Sequence, residues 1–342
     1  MNFSEDLAQV LAAVHIHSPA AFTFAGEAMQ VTPGPVQQIP GYPSHPLPQS
    51  PLIRDLQAAL YGRCYSHRLG DAEISASAPD SDFVQRLSAA NRTTLRWESG
   101  WTIYSTGARG EVYVQKGDRQ RSAVPGEFTG CAVPGQPPQP GASVNLLVAR
   151  ECSVAQPGFY FAYGSTLSDL WDEFMLLRFY FHSTAKGAPD LVEYLTRQLN
   201  RYQIPFGMKT LADPTLYTRT DATVLYTARR HHDIVRRIAT RIDAPVDAGL
   251  RSATPLFTLQ LCPGVGLAEE PHTGESFGMN RCRLTAEGIV DAWMGGDQSL
   301  ASCQRTVAAR FAASAIDINQ PYLSPGSAPL AGIAEEVEFT HV

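Results

Sequence analysis

Cysteine is scarce and scattered in this chain. Cys64, Cys131, Cys152, Cys262, Cys282 and Cys303 are spread over 342 residues, and no two form a C-x-x-C pair. That spacing excludes the common zinc and dithiol motifs and fits reduced thiols of the cytoplasm, not a disulfide framework. Positive charge is also short. Lys and Arg number 27 against 33 Asp and Glu, for a net charge of −6. A nucleic-acid partner held by charge alone is thereby excluded, and any anion site must be a local cluster. No apolar run approaches the roughly 18 residues that mark a membrane-spanning helix. The stretch MNFSEDLAQVLAAVHIHS sets two acids ahead of its apolar residues and has no basic segment, unlike a secretory signal. H-E-x-x-H does not occur, and the adjacent His231-His232 would point about 100° apart on a helix. The expectation is a cytoplasmic protein that uses no metal and no cofactor, with neither nucleic acid nor membrane as partner.

What is present is enough apolar sequence, 44% of the chain, to build one large domain or two smaller ones. Residues 4–15 read as a helix. The stretch TPGPVQQIPGYPSHPLPQSP (32–51) is crowded with proline, which fixes φ and donates no hydrogen bond, so it reads as an extended linker or arm. Helices are expected at 51–63 and 81–92. WTIYSTGARGEVYVQKG, from Trp101, alternates apolar and polar residues around a glycine-containing turn and predicts a β-hairpin. A second proline-glycine stretch (133–143) precedes two more strand candidates, VNLLVAREC and GFYFAYG. The expected division is 1–143, an amino-terminal region with the arm and hairpins that binds peptide or a partner, and 144–342.

The second half alternates its elements. Strands are expected at Met175–His182, Pro205–Thr210, Asp221–Thr227 and 255–262, and helices at Pro189–Tyr202, 229–242, after ESFGM, and at 298–314. The class is α+β, a mostly antiparallel sheet flanked by helices. Alternation in 175–182 puts Met175, Leu177, Phe179 and Phe181 on one face and Arg178, Tyr180 and His182 on the other. The polar set faces solvent by default, or else lines a cleft. Taken singly, Lys209 reads as a solvated strand-edge residue. Arg219 reads as pairing with Asp213 or Asp221, Tyr226 as a half-buried strand tyrosine, and Arg281 and Arg283 as helix-surface cations.

Taken together they suggest chemistry. Arginines make a bidentate cradle for phosphate or carboxylate. Like charge beside a lysine lowers its pKa, which matters because only about one lysine in 2,500 is neutral at pH 7 with an unperturbed pKa near 10.4. A histidine supplies a proton and a tyrosine hydroxyl orients. Base, acid and anion cradle suit removal of a proton next to a carbonyl and departure of phosphate from the β-carbon.

RFYFHST, FGMKT, YTRTD and ATVLY occur in the same order as in the phosphothreonine lyases delivered by bacterial type III secretion, and the chain resembles them there. Over roughly 155–295, GFYFAYG, RFYFH, YTRTDATVLY and ESFGMNRCRL are similar to the HopA-type effector family. They are similar also to its relatives in class V lanthipeptide and thioamide-peptide pathways. The resemblance implies Lys209 as general base, His182 as general acid and Tyr226 as a supporting hydroxyl. It implies Arg219 as a phosphate ligand and 144–342 as a lyase domain. The later arginines do not align with the effector pattern. Arg281, which follows a glycine-containing loop and opens a helix where anions are favoured, is expected as the second phosphate ligand, with Arg178 and Arg283 in reserve. The spacing from His182 to Tyr226 is shorter than in the effector lyases. The implied partners are a phosphorylated precursor peptide and a separate Ser/Thr peptide kinase. Two other readings stand beside it: a translocated effector that acts by binding proteins, and a non-catalytic peptide-binding scaffold for a kinase.

Overall fold

The computed structural model describes residues 3–34, 50–70, 74–117, 119–130, 137–166, 168, 172, 174–242 and 249–330. Most of the proline-rich arm and Cys131 lie outside them. Helix α1 (Phe3–Ala12) stops short of the predicted end, and strands β1 (Val14–Ser18), β2 (Ala21–Phe24) and β3 (Glu27–Gln30) follow as a small sheet. The reason is local. Val14 and Ile16 are buried while His15 and His17 are exposed, a two-residue period that a helix cannot hold.

Helix α2 (Pro51–Leu60) starts where Ser50 accepts a hydrogen bond from the Ile53 amide at 3.2 Å, with proline in the first turn. It runs into a single π-helical turn, Tyr61–Tyr65. After α3 (Phe83–Ala90) comes a five-stranded sheet of β4 (Arg96–Thr106), β5 (Val112–Lys116), β6 (Arg119–Ala123), β7 (Phe128–Thr129) and β8 (Ser143–Val148), ordered β6-β5-β4-β8-β7. The predicted hairpin is β4–β5. Because β8 pairs with β4 and β7, this sheet straddles residue 143.

The remaining strands are β9 (Glu151–Cys152), β10 (Phe159–Tyr163), β11 (Leu176–Phe181), β12 (Gly207–Leu211), β13 (Thr223–Ala228), β14 (Leu259–Cys262) and β15 (Val265–Glu269). They form one sheet, ordered β14-β15-β11-β13-β12-β10-β9, in which every neighbouring pair is antiparallel. Helices α4 (Ala188–Arg201), α5 (His232–Thr240), α6 (Phe277–Met294) and α7 (Leu300–Ala313) complete the α+β fold. Of the predicted strand at 255–262 only the last four residues form one. β15, the fully buried VGLAE, carries no alternation by which it could be recognised.

The seven-stranded sheet is covered on both faces. Leu177, Phe179 and Phe181 belong to one apolar core with Leu191, Leu195 and Leu199 of α4. Tyr180, Val224 and Ala268, on the other face, belong to a second core with Leu56 of α2, Tyr65 of the π turn and Phe277 of α6. The solvent default for Arg178, Tyr180 and His182 is therefore overturned: they are 8%, 1% and 2% exposed. Residues as early as Leu7 and Val10 share this second core with α6 and α7, whereas the five-stranded sheet keeps a small core of its own around Trp101, Ile103 and Val114.

One close approach holds the cover down. A Cβ at Gly278 would lie 2.4 Å from Cε1 of the buried Tyr65 ring. Gly278→Ala is expected to destabilise the fold by about 1–3 kcal/mol through overpacking, read as a lower urea midpoint at unchanged slope. An unshifted midpoint would show that the ring is free to move aside.

Candidate functional site

Strand register decides which side chains meet. Lys209 lies opposite Phe161 on one neighbour and Val224 on the other, and Val224 lies opposite Tyr180. In the next row Gly207 lies between Tyr163 and Tyr226, and Tyr226 faces Arg178. Directly opposite residues of antiparallel strands share a face. Lys209, Tyr226, Arg178 and His182, two residues beyond Tyr180, thus stand on one face of the sheet, the face that α2, the π turn and α6 partly cover.

Asp221, at the entry to β13, is the hub of this face. Arg219 donates to it from Nε and Nη2, both at 2.8 Å, and Tyr61 donates from its hydroxyl at 3.2 Å. Nη2 of Arg219 also donates to the Tyr61 hydroxyl at 3.2 Å, closing a triangle. Burial pushes the Asp221 pKa up, but Arg219, the charge of Lys209 and the Tyr61 hydroxyl outweigh it and hold the carboxyl below its ordinary value. Burial and then the Asp221 charge drive the Tyr61 phenol far up, so it stays a donor. The π turn is pinned to this loop by the Thr220 amide on the Ser66 carbonyl at 2.7 Å and the Thr220 hydroxyl on the Tyr65 carbonyl at 2.8 Å. Single π-helical turns occur frequently at functional sites because they aim side chains that a regular helix would not.

Lys209 is placed differently from an edge residue, since β12 is flanked by β13 and β10. Its Nζ is 3.5 Å from Gln156 Oε1 and 4.7 Å from the Phe159 ring centroid, and among the described residues it has no ion pair. His182 is held by Nδ1, 3.1 Å from the Ala253 carbonyl. A carbonyl only accepts, so Nδ1 carries the proton and Nε2 the lone pair. That Nε2 is buried without a hydrogen-bond partner among the described residues. Burial, followed by the charges of Arg251 and His67, depresses the ring's pKa to about 4. His182 thus rests as a neutral imidazole with a buried Nε2, a state that does not by itself support the expected role of general acid.

Arg251 was not singled out in the sequence. It donates from Nη1 to the Tyr217 carbonyl at 2.7 Å and has no carboxylate partner among the described residues, and burial lowers its pKa. His67, from the segment after the π turn, is exposed nearby, with Nε2 3.3 Å from the Thr218 hydroxyl.

The other nominated arginines are structural. Arg281 is 1% exposed, donating to the Pro321 carbonyl at 2.7 Å and the Leu323 carbonyl at 2.8 Å and lying 4.9 Å over the Phe277 ring. Its helix does follow a glycine-containing loop, but the 321–323 segment closes over the first turns, so the guanidinium faces inward and no anion reaches it. Arg283 binds Glu275 at 2.9 Å and Glu287 at 2.8 Å. Arg178 is ion-paired with Glu270 and packs 5.2 Å over the Tyr226 ring. The second phosphate ligand expected at Arg281 is therefore not available, nor are the reserves at Arg178 and Arg283. Of the set, Arg178 and Arg219 each keep Nη1 without a hydrogen bond among the described residues, and of these two Arg178 is buried while Arg219 is partly exposed.

Residues 151–323 match the family model described as the HopA1 effector protein family. The chain belongs to the HopA1 effector protein family. Two solved structures are similar in outline. An effector protein from Pseudomonas syringae pv. tomato strain DC3000 is 16% identical, with a TM-score of 0.41 over 80% of this chain and 95% of that one. An effector protein from Pseudomonas syringae pv. syringae strain 61 is 12% identical, with a TM-score of 0.43 over 80% of this chain and 96% of that one. No curated protein matches the sequence. The HopA1 stretch contains the whole seven-stranded sheet with Lys209, Arg219, Asp221, His182 and Arg251, while Tyr61, Tyr65 and His67 come from outside it. A shallow cavity of about 370 Å³ beside Ser88, Glu151 and Tyr160 lies on the opposite face, because Tyr160 alternates with Phe161. Among the described residues no His, Cys, Asp and Glu group could hold a metal, and no helix is long and apolar enough to cross a membrane.

The state of His182 has a measurable consequence. Its folded pKa of about 4 lies below the ordinary 6.5, so between these values the unfolded chain binds a proton that the folded one refuses. The stabilisation is complete above pH 6.5 and is lost as pH falls toward 4, about 3 kcal/mol in total. His182→Asn keeps a donor for the Ala253 carbonyl and removes the titration. Urea midpoints at pH 7 and pH 4 should show a loss on acidification smaller in the variant by about 2–3 kcal/mol. Equal losses in both proteins would mean that His182 is not held neutral.

Proposed function

We propose that this chain is a lyase that eliminates phosphate from phosphoserine or phosphothreonine in a peptide, with Lys209 as base. The observation that carries the reading is the contrast among the cations of one sheet face. Arg178 is paired with a carboxylate and Arg219 is anchored by one edge to Asp221, while Lys209 stands on an interior strand with no ion pair among the described residues. An amine so placed is not committed to a carboxylate and is open to a substrate laid on the sheet. The free Nη1 edge of Arg219 is oriented by Asp221 and Tyr61 to meet a dianionic oxygen.

In the proposed step the Lys209 amine removes the Cα proton, the Cα–Cβ double bond forms, and the Cβ–O bond breaks with its electrons leaving on phosphate. Lysine ends as ammonium and the peptide carries dehydroalanine or dehydrobutyrine. Because His182 is neutral and sealed, the leaving phosphate depends on guanidinium charge from Arg219, with Arg251 contributing from the His182 side, and not on a proton from His182. Tyr226 borders Lys209 on β13 and shapes the wall. A kinase acting on Ser or Thr of a precursor peptide is the class of enzyme that would supply this substrate.

A second reading has its own support, since Arg178, Arg281 and Arg283 are neutralised internally and the family is described as one of effectors. Such a protein would bind a phosphorylated partner without changing it. Incubation of a phosphopeptide with the protein and EDTA separates the two. Elimination leaves a product one water lighter than the unphosphorylated peptide and trappable by a thiol. Lys209→Ala and Lys209→Arg should release no phosphate while unfolding at the wild-type urea midpoint, because guanidinium stays protonated. Arg219→Gln should weaken phosphopeptide binding by about 1.5–3 kcal/mol and the unphosphorylated peptide much less. Turnover by Lys209→Ala, or a product with the mass of the original Ser/Thr peptide, would falsify the assignment.

A further inference from the structure

The face that carries Lys209 is covered at one end only. Tyr180, Val224 and Ala268 lie beneath Tyr65 and Phe277, but in the same two rows Phe161, Lys209, Tyr163, Gly207 and Tyr226 are only partly buried. Gly207 is the odd member. It sits at the start of a paired strand with no positive φ to require glycine, and a Cβ there would meet nothing nearer than Tyr163 Cδ1 at 4.0 Å. Glycine weakens a strand unless a bulge, a bend or the close approach of another backbone calls for it. From Gly207 onward the register is regular against both neighbouring strands, so no bulge is present.

The surroundings define what would approach. Tyr163 and Tyr226 are the direct neighbours of Gly207 on either strand, which makes a slot with an aromatic ring on each side. Tyr163 stacks on Phe161 with ring centroids 6.3 Å apart and planes 20° apart, and Phe161 is in turn the direct neighbour of Lys209. The slot and the Lys209 backbone are two residues apart on one strand, about 7 Å by strand rise, with the amine itself reaching toward Gln156 and Phe159. That is the spacing of alternate side chains in an extended chain laid along β12.

We propose that the Gly207 slot seats the backbone of an extended peptide one to two residues from the phosphorylated position, so that the substrate is an extended peptide segment and not a free phosphoamino acid. The Phe161–Tyr163 pair forms the shelf for a flanking side chain. The proposal rests on the lyase reading for its choice of ligand, and the experiment keeps the two apart. Gly207→Leu fills the slot with a residue that a regular strand accepts, and Gly207→Ala fills it partly. Fluorescence anisotropy of a labelled phosphopeptide measures seating without any chemistry. Elimination is measured with that peptide and with N-acetyl-phosphothreonine N-methylamide. Gly207→Leu should weaken phosphopeptide binding about tenfold or more, with Gly207→Ala between it and wild type. The loss should appear in KM for the peptide, while kcat/KM for the small amide falls far less. Unchanged anisotropy for Gly207→Leu, or equal losses on peptide and amide, would overturn the slot. If wild type binds the phosphopeptide through the slot but eliminates from neither substrate, the lyase reading fails and the slot stands.

Discussion

A buried carboxylate needs a partner, and in this fold Asp221 sets where everything else can sit. Removing an ionised carboxyl from water costs several kcal/mol even after relaxation, and attraction to a cation offsets this only with good geometry and every lone pair satisfied. Asp221 meets that requirement through two 2.8 Å bonds from Arg219 and one from Tyr61. Arg219 precedes it in the chain by two residues, but Tyr61 is distant in sequence and can reach only because the π turn is tied to the Thr220 backbone and side chain. The pair therefore fixes the loop before β13, the approach of α2 to the sheet, and the direction of the Arg219 edge left over.

The remaining positive charge obeys the same rule. On an acidic chain, Arg178, Arg283 and Arg310 are matched by Glu270, Glu275, Glu287 and Asp291, and Arg281 is met by carbonyls in place of a carboxylate. Without a counter-charge, burial depresses the Arg281 pKa to about 10. Lys209 and Arg251 depart from this pattern by standing beside the buried polar face without an ion pair among the described residues. A positive potential that is not cancelled locally is what an arriving dianion would use.

Much of this was legible in the chain because it depends on neighbours a few residues away. The period-two pattern of 176–181, the amphipathic run that became α4 and the hairpin after Trp101 all express local burial, and Asp221 was already visible as a partner two residues from Arg219. What was hidden depends on contacts far apart in sequence. The polar face of β11 reads as solvated until residues 51–65 and α6 are laid across it. Arg281 looks like an exposed cation at a helix start until the segment at 321–323 closes over it. His182 reads as a proton donor because its type suggests one, whereas its protonation follows from the Ala253 carbonyl and the burial around it. β15 was missed for a simpler reason: a strand buried on both faces shows no alternation.

The stretch that matches the HopA1 family supplies the sheet, the lysine and the Asp221–Arg219 pair, yet it does not close the site. Tyr61 and Tyr65 enter from earlier in the chain, and the Tyr65 ring meets both Tyr180 and Phe277 with centroids 6.3 Å away. Without that segment Asp221 would lose a hydrogen-bond donor, and the apolar rows of Tyr180, Val224 and Ala268 would face water beside a half-desolvated ion pair. Such a face would be both less stable and less selective, since water would compete for the free edge of Arg219. The early segment is thus part of the site's electrostatics as much as of its core. Its cover stops short of Gly207, so the same packing that dries the Asp221 end leaves the Lys209 end open to a chain laid along β12.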